Sequence, residues 1–399
     1  MSKHVVIVGG GAAGFFAAIN CAEKHPDYRI TILEKSSTVL SKVKISGGGR
    51  CNVTHACFDA RELVKNYPRG EKQLLGPFTR FNPSHTVDWF NLRGVNIKRE
   101  DDGRMFPASN SSQTIIDCFL AECKRLRVAI RMQCSLEKIE KTANGFALTD
   151  SKGEVISADT VIITTGSSHS IWTMLQCAGH QIIPAVPSLF TFHINDTRIQ
   201  GLEGLSVECA EINVVGNLKL HSSGPLLITH WGMSGPAILK LSAWGARELS
   251  EKKYQFEISV NWVHRSLGEV NEYLKTYRKE HPKKGVVTHA PFAIPKRLWE
   301  RLCNGLADKN YADLSNKQID GLALNITACR FLVSGKSTFK DEFVTAGGVD
   351  LREVDFKTMQ SKIIPQLYFA GEVLDIDAVT GGFNFQAAWT TAWIAANSI

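Results

Sequence analysis

Six residues near the amino terminus have the types and spacing to hold a diphosphate. Gly9-Gly10-Gly11-Ala12-Ala13-Gly14 reads Gly-x-Gly-x-x-Gly directly after the apolar run Val5–Val8. In such a turn the first glycine bends the chain off a strand, and the second leaves the backbone bare for a pyrophosphate. The third lets the following helix pack close to the sheet. Free N–H groups and the positive end of that helix then face the phosphates. Glu34 lies 20 residues beyond Gly14, at the end of the strand-like run Arg29–Leu33. A carboxylate there is placed to accept hydrogen bonds from an adenosine ribose.

The motif alone does not separate FAD from a nicotinamide dinucleotide, but the far end of the chain does. Leu367–Ala370 reads as a buried strand ending in Gly371-Glu372, which puts an acid beside the ribityl hydroxyls of a flavin. A last helix follows Gly381-Gly382-Phe383-Asn384, and its N–H groups would face the flavin pyrimidine ring and stabilise negative charge there. Among side chains able to move protons or bind anions, Arg50 and His230 stand out, and Cys51 is the thiol nearest the expected flavin. A packed or capping histidine is the competing reading of His230.

The elements that must position these residues follow from the hydrophobic pattern. Residues 1–190 read as a nucleotide-binding α/β region. It contains the glycine-rich loop Ser46–Asn52, a helix through Ile115, Ile116, Phe119 and Leu120, and a strand over Val128–Met132. A hairpin around Gly145 and Gly153 follows, then the buried strand Asp159–Thr165 ending at Gly166. Residues 191–260 alternate as antiparallel strands, as over Leu205–Val215. Residues 261–322 read as helical and charged, with Leu267, Val270, Tyr273, Leu274 and Tyr277 at helical spacing. Residues 323–343 return to the β region, and 344–399 rejoin the first domain.

Bulk properties narrow the class. At 399 residues the chain exceeds a single simple core. A net charge of +7 suits an anionic cofactor or substrate, and with no long Lys/Arg block no nucleic-acid partner is expected. No apolar stretch approaches the roughly 20 residues that span a bilayer, so a cytoplasmic location with no membrane partner is the default expectation. The sequence carries no reading of oligomeric state. The ten cysteines form no Cys-x-x-Cys pair, so neither a zinc site nor a disulfide framework is expected.

Several motifs together resemble the bacterial flavoproteins of the aminoacetone-oxidase type, also called BaiN-like. They are Gly9–Gly14, Ile45–Thr54, Gly103–Pro107, Thr229–Pro236, Val344–Val349, Gly371–Asp377 and Thr380–Gln386, and they run the length of the chain. The resemblance implies a glutathione-reductase-like FAD-binding Rossmann domain of α/β class, with an inserted antiparallel β-barrel domain and a small helical domain. It implies non-covalent FAD. By position, Gly9, Gly11, Ala12, Ala13 and Gly14 would meet the diphosphate and Glu34 the ribose, with Lys35 and Lys42 beside the cofactor. Leu136 would contact adenine through its backbone, and Thr165 and Gly166 would pack under the dinucleotide. Ser46, Gly47, Gly49, Arg50, Cys51 and Asn52 would cover the cofactor, Arg50 pairing with phosphate or a substrate carboxylate. Glu372 would bind the ribitol chain, with Gly371 and Asp377 also cofactor-binding, and Gly382, Phe383, Asn384 and Phe385 would line the isoalloxazine. The sequence departs from the family pattern at Ser167-Ser168-His169, Ala378, Phe383 and Thr391-Ala392.

The expected activity is hydride transfer between a small organic substrate and FAD, as an oxidase or as a reductase served by transient NADH or NADPH. Three rivals stand beside it: a thiol–disulfide reductase using Cys51 and Cys57, a flavin-dependent tRNA-modifying enzyme, and a non-catalytic flavin-binding sensor. Five residues separate the two cysteines, where such reductases have four, and no second glycine motif holds a nicotinamide.

Overall fold

The computed structural model describes residues 2–337 and 344–399. The chain divides into two units, Met1–Val186 with Lys340–Ile399, and Pro187–Phe339. The domain boundary expected at 343 lies outside the described residues.

The first unit is built on a seven-stranded sheet. Five of its strands are parallel, in the order Leu367–Phe369, Thr160–Ile163, His4–Val8, Arg29–Leu33, Ala129–Arg131. Strands covered on both faces read as continuous apolar runs, and His4–Val8 and Thr160–Ile163 are buried throughout. The chain lays its second and third parallel strands on one side of His4–Val8 and its fourth on the other. That reversal opens a crevice at the carboxyl end of His4–Val8, the place where open α/β sheets bind ligands.

Two helices fix the crevice walls. Ala12–Lys24 and Phe383–Ala396 pack on one another, and both are buried along most of their length. Phe16, Trp89 and Trp389 form their shared aromatic core, Phe16 lying 4.6 Å from Trp89 and 5.2 Å from Trp389. Burying each such ring is worth about 2–3 kcal/mol, so these rings help hold the two helices together. The expected hairpin before Thr160 is a three-stranded antiparallel meander, Leu136–Thr142, Gly145–Asp150 and Val155–Ala158.

In the second unit an antiparallel sheet runs Cys329–Val333, Phe256–Asn261, Ser206–Val214, Asn217–Thr229, Gly232–Ser234, Thr191–His193, Gly335–Ser337. Burial alternates along Phe256–Asn261 and Cys329–Val333, so one face covers the core. A barrel was the expectation, yet among the described residues no strand pair closes this sheet. Its two end strands are instead successive segments of one chain, joined at Ser334. The helical stretch expected here resolves into Leu267–Glu280, Lys296–Leu302 and Asn316–Thr327. Ser266 with Glu269 and Ser315 with Gln318 form reciprocal caps on the first and third.

Candidate dinucleotide site

The glycine turn is dictated by close approach. Gly9 bends off its strand at φ +111°, and its N–H donates to the Leu33 carbonyl at 2.8 Å. A Cβ on Gly14 would lie 1.9 Å from the Gly9 carbonyl oxygen, so only glycine lets the helix start this near the strand. Gly11 behaves differently: a Cβ there would meet nothing within 4 Å. Gly11 caps the Ala12–Lys24 helix without a side-chain hydrogen bond, and the first turn carries no acid. Ala12 and Ala13 therefore present a helix start with positive potential beside open space.

Around that space the strand ends supply polar groups. The Glu34 carboxylate accepts from the Gly10 N–H at 2.8 Å, and from the Ser36 N–H and hydroxyl at 2.8 and 2.7 Å. A carboxylate offers about four acceptor positions, so Glu34 is oriented and still able to receive a ribose hydroxyl. Lys35 is exposed at the same strand end. The segment leading to Leu136 lies alongside, through the Cys134 N–H bond to the Glu34 carbonyl at 2.9 Å, and Leu136 itself is buried. Among the described residues the Thr165 hydroxyl oxygen is buried without a hydrogen-bond partner. Such a group carries a desolvation cost until something bonds to it. Gly166 adjoins Glu372, whose carboxylate accepts from the Thr345 N–H at 3.0 Å and pairs with Lys42 at 2.6 Å. Gly371 packs beside Ala13.

The Ser46–Asn52 segment was read as a loop, and the structure carries its first residues in the helix Ser41–Gly49, broken at Ser46, Gly47 and Gly48. Arg50 is already engaged: it pairs with Glu100 at 2.6 Å and stacks 4.0 Å from the Phe106 ring centre. Cys51 is fully buried, and burial pushes its thiol up to about 12, so these surroundings hold it protonated rather than as the thiolate that attacks or relays electrons. Asn52 spans the site floor. In the amide orientation that suits its neighbours, its nitrogen donates to the Met105 and Thr54 carbonyls at 3.2 and 3.0 Å, and its oxygen accepts from the Gly382 N–H at 3.0 Å.

The last helix starts at Phe383, so Phe383 and Asn384 lie in its first turn with Phe385, rather than before it. Gly382 caps it at φ +91°, and a Cβ there would sit 2.5 Å from the Thr54 carbonyl oxygen. Asn384 grips the backbone of Ala378, accepting from its N–H at 2.9 Å and donating to its carbonyl at 3.1 Å. Asp377 is fully buried and paired with Arg69. Phe385 stacks 5.4 Å from Trp389.

Sequence reasoning missed the supports of this corner. Gln386 is fully buried and accepts from Thr54 and Thr86 hydroxyls at 2.6 and 2.9 Å, while its amide donates to Thr390 at 3.0 Å. Tyr67 donates its hydroxyl to the Phe383 carbonyl at 2.6 Å. His55 stacks on Phe383 at 4.6 Å, and burial lowers its pKa. A polar residue in a final helix made mostly of alanines and aromatics was the visible signal for Gln386; nothing local marked Tyr67. His230 falls in the second unit, exposed on the turn after Asn217–Thr229. Among the described residues no group of acidic, histidine and cysteine side chains is arranged for a metal ion, and no helix is long and apolar enough to cross a membrane.

The residues in the crevice fit FAD. The open direction at Gly11, the helix start without a side-chain cap and the unpartnered Thr165 hydroxyl leave room and donors where a diphosphate would lie.

The sequence matches the family described as HI0933-like protein Rossmann domain over residues 3–398. It is 27% identical to the ribosomal RNA dihydrouridine synthase of Escherichia coli (strain K12), covering 99% of this chain and 97% of that protein. It is also 27% identical to the 3-dehydro-bile acid delta(4,6)-reductase of Clostridium scindens, covering 98% of each. Its fold is similar to that of a 3-ketosteroid-delta4-(5alpha)-dehydrogenase from Rhodococcus jostii RHA1, with a TM-score of 0.50 and 11% identity over 99% of this chain and 97% of that one.

Proposed function

We propose that this chain, which belongs to the HI0933-like protein Rossmann domain family, is an FAD-dependent oxidoreductase that reduces a carbon–carbon double bond conjugated to a carbonyl. The observation that carries the cofactor assignment is the Gly9–Gly14 turn, with its helix start lacking a side-chain cap, the open direction at Gly11 and the unpartnered Thr165 hydroxyl. The direction of the reaction is supported by the names of two full-length relatives, one a bile acid reductase and one a dihydrouridine synthase. Saturating an enone and saturating the uracil 5,6 bond are the same chemistry: a hydride to the carbon β to a carbonyl and a proton to the α carbon.

When bound, FAD supplies the two-electron hydride chemistry. The protein holds and orients it. The Ala12–Lys24 helix start would hold the diphosphate, Glu34 would take the ribose hydroxyls, and Glu372, paired with Lys42, would bind the ribitol. The Phe383–Ala396 helix start, held by Asn52, Asn384 and Gln386, would offer its N–H groups to the isoalloxazine. With one glycine-rich dinucleotide turn in the chain, NADH or NADPH docks transiently rather than on a domain of its own. Anaerobic NADPH should bleach the oxidised flavin spectrum, and a steroidal or simple enone, or uridine-containing RNA, should restore it. A spectrum bleached by NADPH that no conjugated acceptor restores contradicts the reductase reading.

The second reading, reduction of a base within RNA, draws on the dihydrouridine synthase relative alone. Enones and RNA as competing acceptors for the reduced enzyme separate the two.

A further inference from the structure

We propose that His55 takes up a proton when the flavin of the crevice is reduced, and so carries the charge that balances the reduced cofactor. The inference rests on the FAD reading given above and gives a role to a side chain that reading leaves unused.

The imidazole is clasped between the last helix and a hairpin tip. His55 ends the short strand Thr54–His55, which pairs with Arg104–Pro107 so that His55 lies opposite Arg104. The Thr54 carbonyl just before it lies against Gly382, the cap of the last helix. The ring of His55 stacks on Phe383, with centres 4.6 Å apart and planes 23° from parallel. A Cβ on Gly103 would lie 2.6 Å from His55 Cε1, and one on Gly381 would lie 3.5 Å from its Cδ2. Gly103, at φ +85°, closes the hairpin over the ring edge where no side chain fits.

The two ring nitrogens differ. Nε2 lies 3.2 Å from the Asp102 carbonyl, which can only accept, so Nε2 carries the hydrogen. Nδ1 is then a bare lone pair, buried and, among the described residues, without a hydrogen-bond partner. Burial lowers the pKa of this ring; the bond to the Asp102 carbonyl and the Asp102 charge work against that, and Arg99 works with it. The remaining charges of the hairpin are paired: Arg104 meets Asp102 at 2.6 Å and Glu100 at 3.3 Å, and Arg50 meets Glu100. Burial raises the pKa of the Cys57 thiol and of the Tyr67 phenol, which stands edge-on to Phe383, so both stay neutral. The last helix brings no acid in its first turn. With an oxidised cofactor His55 is therefore neutral at pH 7.

Reduction changes the balance. It adds a negative charge at the helix start that caps on Gly382, and a negative charge within a few ångström of an imidazole favours the protonated form. The imidazolium also gains a cation–π contact with Phe383. Protons and electrons close. The reductant passes two electrons and one proton to the cofactor as hydride, and Nδ1 takes one proton from water. When the hydride leaves for the acceptor the negative charge leaves with it. His55 then gives its proton back, matching the one that the acceptor's α carbon takes.

The test is an anaerobic redox titration of the FAD-loaded full chain with dithionite and a reference dye, between pH 7 and 8.5. Each proton taken up with two electrons lowers the midpoint by about 30 mV per pH unit. Wild type, taking up two, should fall by about 60 mV per unit, and His55→Gln and His55→Asn, taking up one, by about 30 mV. A histidine that only packs would leave the slope unmoved. The wild-type chain alone gives a second readout: with nitrogen-15-labelled histidine, one of its twelve imidazoles should titrate at higher pH in the reduced protein than in the oxidised protein. Equal slopes in wild type and both variants overturn the proposal, as do imidazole titrations that reduction leaves unchanged. Folded protein that cannot be loaded with FAD contradicts the crevice reading and the proposal with it; loaded protein with equal slopes contradicts the proposal alone.

Discussion

The two helix starts of the first unit have the same outline and opposite interiors. Both follow a glycine cap, and neither is capped by a side chain or carries an acid in its first turn. At Gly11 the space ahead is open and Thr165 is left without a partner. At Gly382 the polar groups are already spent inward: Asn52 on Gly382 and Thr54, Asn384 on Ala378, Gln386 on Thr54 and Thr86. On the proposed reading, the first end would receive the diphosphate in what it leaves unfilled. The second is a braced frame whose backbone direction is fixed before any ligand arrives, the condition under which oriented N–H groups act most strongly on a developing charge.

The sharpest way to break this comparison is at the two glycines of one turn. Gly14→Ala places a Cβ 1.9 Å from the Gly9 carbonyl oxygen, so it should cost about 3 kcal/mol or more and abolish soluble FAD-bound protein. Chemical denaturation of the variant measures it. Next comes the braced end. Gln386→Leu removes the acceptor shared by Thr54 and Thr86 in a fully buried place, and should lower stability by about 2–3 kcal/mol. A shift in the unfolding midpoint at unchanged denaturant slope checks it. Gly11→Ala is the converse case. Gly11 has φ −94° and an open Cβ direction, so the FAD-free protein should unfold as wild type while FAD affinity falls about tenfold or more. Equal affinity would show that the open direction is not where the diphosphate lies.

The smallest effect is in pH. Burial lowers the pKa of His4, His55 and His180 from the usual 6.5. The unfolded chain then binds more protons than the folded one just below that value. Stability should be full above about pH 6.5 and fall as pH drops through it toward the lowered folded values. Thermal unfolding at pH 7.5 and 5.5 should show the lower midpoint at 5.5, and His55→Asn should reduce the difference.

Much of this was legible in the sequence because local patterns carried it. Val5–Gly14 gave a strand, a turn and a helix start from apolar run and glycine spacing, and Leu367–Phe369 and the final helix came from the same signals. What escaped depended on residues meeting across hundreds of positions. Tyr67 meets Phe383, Arg69 meets Asp377, and Thr86 meets Gln386, and no spacing rule links them. Arg50 and Cys51 were chosen by type and place in a motif. Burial and the Glu100 pair, which decide what they can do, exist only after folding. The meander before Thr160 and the second sheet, whose two end strands are joined through Ser334 without pairing, escaped for the same reason: strand count and closure are properties of pairing, not of a single strand's pattern.

The most direct test of the account is the flavin content of the purified full-length protein. Released cofactor, separated and quantified after denaturation, should be FAD at about one per chain, either as isolated or after reconstitution. Protein that is folded by its unfolding transition yet retains no FAD after reconstitution would contradict the assignment of the Gly9–Gly14 crevice and the chemistry built on it.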